Sequence, residues 1–247
     1  MIVRGTITVH KKKIAYTYVH ENYDTLVLLL HGFGSDQEEK GNFEELSKQL
    51  LEHGMDSLRF DYLGHGKSEG NTEDVTISSV LQEAKVLLQK YPHKMVDVVG
   101  VSYGGGVATI LANEIKIERM VLWSPLIDYE NNIMHPQNHF CREFLGEEAI
   151  KQIRENGYAI FGVDGVKFNM NIFHDAKKYH PKEILSHYHK PVKIIHGTRD
   201  IIVPYQQSLQ LQSNHIEVQL IEGASHCFYD EFHQIVIQQT IDFLTKK

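Results

Sequence analysis

The 247-residue sequence is poor in cysteine, in cationic residues and in long apolar runs. Its two cysteines, Cys141 and Cys227, are too few for a disulfide framework and lack the Cys/His spacing of a zinc site, so we expect two free thiols in a reducing compartment. The 25 lysines and arginines are outnumbered by 32 acidic residues, and the net charge of −7 offers no footprint for nucleic acid or an anionic membrane. The basic run at 11–13 is interpreted as a solvated hairpin turn.

The short apolar runs also disfavour membrane-spanning and secretory classes of protein. The longest apolar runs, such as residues 107–112, are far too short to span a bilayer, and the N-terminus lacks the apolar stretch of a signal peptide. We therefore expect a cytoplasmic protein without a membrane span. With 42% hydrophobic and 23% charged residues, the composition is typical of a globular protein. The length suits one large domain or one domain with an insertion.

Short apolar runs alternate with amphipathic segments along most of the chain. The first twenty residues alternate between apolar and polar positions and predict a hairpin. Further on, the unbroken apolar run at 26–30 predicts a strand that is buried on both faces of a sheet. The strands are predicted at 26–30, 57–60, 96–99, 120–123, 192–195 and 218–221, and the helices at 43–51, 77–88, 103–115, from about 205 and at about 230–244. The pattern predicts an α/β fold, with a mostly parallel sheet covered by helices on both faces and its chemistry at the carboxyl ends of the strands.

The stretch 126–190 interrupts this alternation. It begins with a segment rich in Asn, His and Pro, continues with a helical piece near 147–155, and contains two short strand-like runs around the turn residues 162–165. We interpret it as an inserted lid over the strand ends, so that residues 1–125 and 191–247 form the core domain.

A G-x-S-x-G motif, from Gly100 to Gly104, lies directly after a predicted strand and directly before a predicted helix. This is the context of a nucleophile elbow, in which a tight turn projects the serine oxygen above the sheet at the positive end of the following helix. The residues two before and two after the serine must be small in such a turn, and both are glycine. The motif therefore predicts Ser102 as a nucleophile.

A serine hydroxyl needs a base to take its proton and an acid to orient that base. In sheets of this kind the chain order is serine, acid, histidine. Asp200 follows a predicted strand and is the candidate acid, while Asp128, which follows the preceding strand, is the rival. If Asp200 is the acid, the order excludes thirteen of the sixteen histidines as the base.

The three remaining histidines occupy different positions relative to the last predicted strand. His226 follows that strand, His215 precedes it, and His233 lies in the final predicted helix. Only His226 is at the edge of the sheet where the chemistry is expected. It is therefore the candidate base.

Acyl transfer also requires backbone N–H groups that stabilise an oxyanion. One donor is predicted to be the N–H of Tyr103, the residue after the nucleophile. The second is predicted to come from the loop after the first buried strand, where Phe33 lies between Gly32 and Gly34. Only the backbone of Phe33 is needed for this role, so its ring is expected to line an acyl pocket.

Other signals point to structural roles. Residues 66–68 mimic the end of a phosphate-binding loop, but Asp61 stands where that motif needs glycine. The histidines of 187–189 lack an H-E-x-x-H pattern or paired carboxylates and are interpreted as surface residues. Asp61 and His65 are expected to tie down a loop beside the site, and Cys227 to be a packing residue. We expect no metal and no organic cofactor.

Together these motifs resemble the α/β-hydrolase superfamily, and the resemblance covers nearly all of the chain. Within it, residues 59–70 and 220–228 are most similar to bacterial cinnamoyl (feruloyl) esterases, with monoacylglycerol lipases and the serine aminopeptidase-like group nearby. The resemblance implies an α/β-hydrolase fold with an inserted lid. In those esterases lid residues hold the phenolic hydroxyl of the substrate; here the substrate-binding residues are left open within 126–190. The matching pieces are 31–34, 59–68, 100–104, 195–204 and 223–226.

The leading hypothesis is a serine hydrolase that cleaves small-molecule carboxylic esters, including hydroxycinnamate esters, through an acyl-enzyme. The alternatives are a short-chain carboxylesterase, a monoacylglycerol lipase, a thioesterase and, from a different class, a non-hydrolytic small-molecule sensor. Peptide hydrolysis is disfavoured because no site for a free amino terminus is identified, and a homodimer is left open. An apolar pocket for an aryl or medium acyl chain is expected from lid aromatics, namely Tyr129, Phe140, Phe144, Tyr158, Phe161, Phe168 and Phe173.

Overall fold

The computed structural model describes residues 1–162, 165–228 and 231–246. The strands are β1 (Ile2–Val9), β2 (Lys12–Val19), β3 (Thr25–Leu30), β4 (Asp56–Phe60), β5 (Met95–Val101), β6 (Met120–Trp123), β7 (Ala159–Phe161), β8 (Val166–Phe168), β9 (Val192–Gly197) and β10 (Ile216–Ile221). The helices are α1 (Asn42–Glu52), α2 (Ile77–Lys90), α3 (Tyr103–Glu114), α4 (His139–Leu145), α5 (Glu147–Asn156), α6 (Met170–Ala176), α7 (Pro181–Ser186), α8 (Gln206–Leu209) and α9 (Phe232–Thr245). Short 3₁₀ turns occupy Glu39–Gly41 and Thr72–Asp74, and a π-helical turn occupies Glu130–Met134.

Within these ranges, eight strands form one sheet in the order β1-β2-β4-β3-β5-β6-β9-β10, and β7 pairs with β8 in a separate hairpin. The pairs β1–β2 and β2–β4 are antiparallel, and every other neighbouring pair in the main sheet is parallel. The predicted α/β fold with a mostly parallel central sheet is confirmed. Its parallel strands end at a common edge, so the loops that follow them lie close together.

Strand β3 shows why its run from Leu26 to Leu30 contains no polar residue. Successive side chains of a strand point to opposite faces, and both faces of this sheet are covered. Leu26, Leu28 and Leu30 pack into the apolar core that includes α2 and α3. Val27 and Leu29 pack into the second core, with α1 and α9. A polar residue in this strand would therefore be buried whichever way it pointed.

The segment between β6 and β9 is joined to the rest of the chain by side-chain hydrogen bonds, two groups of which lie near its ends. Asp175 of α6 accepts bonds from the backbone N–H and the hydroxyl of Ser78 on α2, at 2.7 and 2.6 Å. At the other end, Asn132 and Gln207 exchange amide hydrogen bonds at 2.8 and 3.2 Å. The division of the chain into a core and an inserted lid at 126–190 stays a prediction.

The same segment contains the helices that the sequence did not predict. Helices α4, α6 and α7 have six or seven residues, too few for an apolar face to repeat clearly. Capping residues were the available signal: Asn138 accepts the N–H of Cys141, Asn169 accepts that of Asn171, and Pro181 opens α7. Such caps are weak evidence without a periodic pattern behind them.

Several predicted boundaries differ from the structure. The tight turn of the first hairpin is His10–Lys11, with φ of 53° and 63°, so the basic run at 11–13 continues into β2. The helix expected from about residue 205 is the four-residue α8. Residue 230, where the last helix was expected to begin, and residues 163 and 164 of the expected hairpin turn lie outside the described ranges. No helix described combines the length and apolarity needed to cross a bilayer.

Glu83 of α2 is a fully buried carboxylic acid on the sheet side of its helix. Burial raises the pKa of Glu83 to about 8, and the nearby N–H of Leu63 offsets only part of that rise. Neither carboxyl oxygen has a hydrogen-bond partner of normal geometry among the described residues. The protonated form is therefore the one that the core accommodates.

We expect Glu83→Gln to remove a pH-dependent loss of stability. Between about pH 4.5 and about pH 8, Glu83 keeps its proton in the folded state but loses it in the unfolded state. Over that interval it lowers the free energy of unfolding by about 1.4 kcal/mol for each pH unit. Urea denaturation at pH 5 and pH 8 should show that the free energy of unfolding of the variant increases relative to that of the parent as the pH rises. Glu44→Gln, at an exposed position of α1, is the control, and an equal pH dependence in parent and Glu83→Gln would contradict the expectation.

Candidate active site

Ser102 lies in the turn between β5 and α3 with a left-handed backbone, φ 52° and ψ −114°. The turn depends on glycines at both sides. A Cβ on Gly100 would lie 2.5 Å from the carbonyl oxygen of Gly104, and a Cβ on Gly104 would overlap the carbonyl group of Leu30. The requirement for small residues two before and two after the serine is therefore confirmed by the packing.

The ends of three parallel strands bring Ser102, His226 and Asp200 together, after β5, β10 and β9 respectively. Ser102 Oγ lies 2.8 Å from His226 Nε2, and His226 Nδ1 lies 2.6 Å from Asp200 Oδ2. Because Nδ1–H donates to the carboxylate, Nε2 is left as the acceptor of the serine hydroxyl proton. Such a base can take that proton while the oxygen attacks an electrophilic carbon.

Asp200 is held by four N–H donors. Its Oδ1 accepts from the backbone of Ile202 and Val203 at 2.9 and 2.8 Å, and its Oδ2 accepts from His226 and from His196 at 3.0 Å. Burial alone would raise the pKa of the Asp200 carboxyl group. The charge of a protonated His226 and the N–H bonds from both histidines outweigh burial and hold this pKa well below its usual value. Asp200 therefore stays an acceptor for His226.

His196 is a second, fully buried histidine on the acid. Its Nε2 lies 3.0 Å from both Asp200 Oδ2 and the carbonyl oxygen of Val203, which can only accept, so Nε2 carries the proton. Its Nδ1 then accepts the hydroxyl proton of Ser208 at 2.8 Å. This residue was not predicted from the sequence. Its position in β9, four residues before Asp200, was the only signal available.

The rival residues lie in other surroundings. Asp128 accepts hydrogen bonds from Lys182 at 2.8 Å and from the side chain of Asn131 at 3.0 Å, and no described contact joins it to His226. The ring of His215 packs edge-on against His189 at the opposite end of β10. Of the two candidate acids, only Asp200 is therefore brought to the histidine that faces Ser102.

Two backbone N–H groups are available near Ser102. Tyr103 is the first residue of α3, so its N–H has no partner within the helix. In the loop after β3, the N–H of Gly32 donates to Glu39 at 2.8 Å and the N–H of Gly34 to His65 at 3.2 Å. No described residue accepts the N–H of Phe33. Both donors predicted for an oxyanion are therefore unengaged among the described residues.

Asp61 and His65 hold neighbouring loops, as expected from the sequence. The carboxylate of Asp61 accepts the backbone N–H and the side-chain amide of Gln37 at 2.7 and 2.9 Å, and the N–H of Lys67 at 2.9 Å. His65 Nε2 accepts the N–H of Gly34, so its Nδ1–H is directed to a carbonyl group of its own loop. Burial lowers the pKa of His65.

A cavity of about 300 Å³ adjoins Ser102 and His226. The side chains that residues 126–190 contribute to it are apolar apart from the thiol of Cys141. Among the aromatic residues proposed for this pocket, Phe140, Phe144, Phe161 and Phe168 line it, with successive ring centroids 4.7 to 6.4 Å apart. Tyr129 and Phe173 are buried in the core instead, and Tyr158 carries the ammonium group of Lys167 over its ring.

The opposite side of the cavity is more polar and comes from the loop after β3, with Ser35, Glu39 and Lys40. Glu39 was also missed, because a glutamate four residues before a predicted helix gives no sign of burial. Neither cysteine forms a disulfide within the described residues, and both line the cavity, with Cys227 next to His226 in the chain. In the described ranges, no three His, Cys, Asp or Glu side chains are grouped closely enough to hold a metal ion.

Known proteins are similar to this chain in sequence and in architecture. A family model described as serine aminopeptidase, S33, a hydrolase family, matches residues 21–160. Human monoglyceride lipase is 37% identical over 140 residues, which are 53% of this chain but only 43% of that lipase. A putative hydrolase from Agrobacterium vitis S4 superposes with a TM-score of 0.82 at 24% identity over 100% of both chains. Est1E from Butyrivibrio proteoclasticus, solved with ferulic acid bound, superposes with a TM-score of 0.81 at 25% identity over 97% of each chain.

We expect His196 to affect the reactivity of Ser102 through Asp200. In His196→Leu one donor to Oδ2 is lost, and a small displacement of a catalytic group can lower a rate by roughly 100-fold. In His196→Gln the amide N–H can replace Nε2–H, so most of the reactivity should remain. The rate of covalent labelling of Ser102 by a fluorophosphonate measures the effect. Equal rates in parent and His196→Leu would mean that the backbone donors at Oδ1 suffice.

Proposed function

Because the chain belongs to the hydrolase family described as serine aminopeptidase, S33, which has the α/β-hydrolase fold, we propose that it hydrolyses carboxylic esters through an acyl-enzyme on Ser102. The observation that carries this proposal is the hydrogen-bonded series Ser102–His226–Asp200 beside an apolar cavity. Serine, acid and base occur in the chain order and at the strand ends that this fold requires.

The proposed reaction has two halves, acylation of Ser102 and hydrolysis of the acyl-enzyme. Ser102 Oγ attacks the acyl carbon while His226 Nε2 takes its proton, and the negative charge develops on the former carbonyl oxygen. The N–H groups of Phe33 and Tyr103 receive that charge, and the tetrahedral intermediate collapses as the protonated His226 gives its proton to the departing alcohol oxygen. Water then repeats the attack with His226 as base, which releases the acid and restores Ser102.

The rate contributions typical of such groups are consistent with these roles. A positioned general base contributes typically about 10²- to 10⁴-fold, and each oxyanion donor about 10²- to 10³-fold. Asp200 acts indirectly by fixing the Nδ1–H tautomer of His226. Its low pKa keeps it ionised, so that it stabilises the imidazolium formed during the reaction.

The cavity favours an apolar acyl group. Within the described lining, the segment 126–190 offers neither a hydroxyl nor an amide side chain that would hold a phenolic hydroxyl. We therefore propose aliphatic acyl esters, the class to which monoglycerides belong, as the main substrates. Hydroxycinnamate esters are the second candidate, since the edge-to-face rings of the lining suit an aryl group and Est1E binds ferulic acid.

We expect substitution of each candidate aspartate to show which of the two acts as the acid. Asp200→Asn should fold but lower kcat by roughly 10³- to 10⁴-fold, since the amide favours the wrong tautomer of His226. Asp128→Asn should stay near the parent value, because Asp128 is bound to Lys182. Hydrolysis of p-nitrophenyl butyrate measures both, with Ser102→Ala as the blank. The opposite ranking would transfer the role of acid to Asp128, and activity remaining in Ser102→Ala would remove the acyl-enzyme.

We expect kcat/KM to rise along a p-nitrophenyl ester series, by up to about fourfold for each added methylene, until the cavity is filled. Methyl ferulate should be a poorer substrate than the best member of the series. A preference for methyl ferulate would support the hydroxycinnamate candidate instead, and turnover of acyl-thioesters alone would indicate a thioesterase. Failure to hydrolyse any of these, together with no fluorophosphonate labelling, would favour a sensor.

A further inference from the structure

Glu39 is a buried carboxyl group that the reaction above does not use. Its side chain lines the same cavity as Ser102 and His226 and is only 7% exposed. No ion pair joins it to a lysine or arginine in the described part of the chain. Burial raises the pKa of Glu39, and hydrogen bonds and the charge of a protonated His226 oppose this rise. A buried carboxyl group without an ion-pair partner is costly unless N–H or O–H donors satisfy it, so its donors indicate what it does.

The donor that Glu39 accepts from belongs to the oxyanion loop. The N–H of Gly32 lies 2.8 Å from Glu39 Oε2, and the hydroxyl of Ser35 also donates to this carboxyl group. A Cβ placed on Gly32 would lie 3.8 Å from Glu39 Oε2 and 3.7 Å from Ser102 Cβ. The carboxyl group and the nucleophile therefore flank the same glycine.

Two successive peptide planes decide where the N–H of Phe33 points. The carbonyl oxygen of Gly32 accepts from the ring Nδ1–H of His31 at 2.8 Å and from the N–H of Ser35 at 3.1 Å. In a trans peptide the N–H of Phe33 points opposite to that carbonyl group. The preceding plane is held at its carbonyl end by the hydroxyl of Tyr62, which donates to His31 at 2.8 Å, and at its N–H end by the bond from Gly32 to Glu39. Without the bond to Glu39 only the carbonyl end stays fixed, and glycine gives the backbone between the two planes unusual rotational freedom.

The backbone at Glu39 is strained in a way that this contact explains. Glu39 and Lys40 have φ of 44° and 57°, and Gly41 has φ of 92°. Left-handed conformations are unfavourable for residues other than glycine and persist where the surroundings impose them, often at functional sites. Here the strained turn directs the Glu39 side chain inward to Gly32.

We propose that Glu39 is a positioning residue of the oxyanion hole, which engages Gly32 N–H so that the N–H of Phe33 faces the reacting carbonyl oxygen. The proposal rests on the proposed function, because an oxyanion hole has a role only if Ser102 forms a tetrahedral intermediate. It assigns the effect to the hydrogen bond and not to the negative charge of the carboxylate. The effect of the hydrogen bond and the effect of the charge can be separated by substitution.

Three variants separate the hydrogen bond from the charge. Glu39→Gln keeps an acceptor oxygen in reach of Gly32 N–H but removes the charge. Glu39→Asp keeps the charge but shortens the side chain by one methylene, which withdraws the acceptor. Glu39→Ala removes both. Asp36→Asn, on the exposed side of the same loop, is the control for loss of a neighbouring charge, and thermal unfolding verifies that each variant is folded.

The readouts are kcat, KM and the inhibition constant of an alkyl trifluoromethyl ketone, which adds to Ser102 and places an oxyanion in the hole. We expect Glu39→Ala and Glu39→Asp to lower kcat by roughly 10- to 100-fold and to weaken the ketone by a similar factor. KM for a p-nitrophenyl ester should change by no more than a few fold. Glu39→Gln and Asp36→Asn should stay within a few fold of the parent in all three quantities.

Two results would overturn the proposal. If Glu39→Gln is impaired as much as Glu39→Asp or more, the charge acts and the hydrogen bond does not. If Glu39→Asp leaves ketone binding unchanged, Gly32 does not need the contact. Should Glu39→Ala fail to fold, the comparison of Glu39→Gln with Glu39→Asp decides alone. Loss of activity in Ser102→Ala with no effect in any Glu39 variant would reject this inference only, whereas activity in Ser102→Ala would reject the proposed function itself.

Discussion

The turn at Ser102 is the constraint on which the site depends. Its positive-φ backbone conformation is sparsely populated and costs about 1–3 kcal/mol, yet the turn is hydrogen-bonded on both sides. The N–H of Ser102 donates to Trp123 at 2.9 Å, and its carbonyl oxygen accepts from Gly105 and from Leu126 at 2.9 Å. The turn is thereby joined to the next strand and to the start of the segment that follows it. A shift of any of these parts would move the nucleophile.

Buried carboxyl groups fix the loops around that turn, and in the described ranges none of the three that follow forms an ion pair with a lysine or arginine. Asp200, Asp61 and Glu39 are each satisfied by N–H groups of the loop that they hold. A lysine or arginine in these places would add a mobile charge beside the reacting carbon. Backbone N–H groups are fixed donors instead, so the electrostatic field at the site is set once the chain has folded.

The sequence predicted the parts of the protein that repeat a strong physical pattern. The unbroken apolar run of β3 indicated a strand covered on both faces, and the small residues around Ser102 indicated a turn without room for a Cβ. Asp200 and His226 followed from chain order and strand ends, and the structure brings them to Ser102; their catalytic roles stay predictions. The fold class is confirmed by the sheet topology and by the structural relatives.

What the sequence did not reveal depends on contacts between distant residues. His196 and Glu39 are a histidine and a glutamate among 16 histidines and 32 acidic residues, and only folding shows that both are buried. The helices α4, α6 and α7 are too short for periodicity to indicate them. The shape of the cavity could not be predicted for the same reason, since it depends on how these short pieces pack on the sheet.

The contacts of the 126–190 segment limit how freely substrate preference can change. Asn132 exchanges hydrogen bonds with Gln207, and the side chain of Asn138 donates to the carbonyl oxygen of Ile202 at 3.0 Å. Ile202 also donates its N–H to Asp200. The segment that lines the pocket and the loop that carries the acid are therefore hydrogen-bonded to each other, so that a change in one displaces the other. A foreign segment grafted between β6 and β9 would need the loop after β9 from the same donor protein, and a natural change of specificity would require paired substitutions in both.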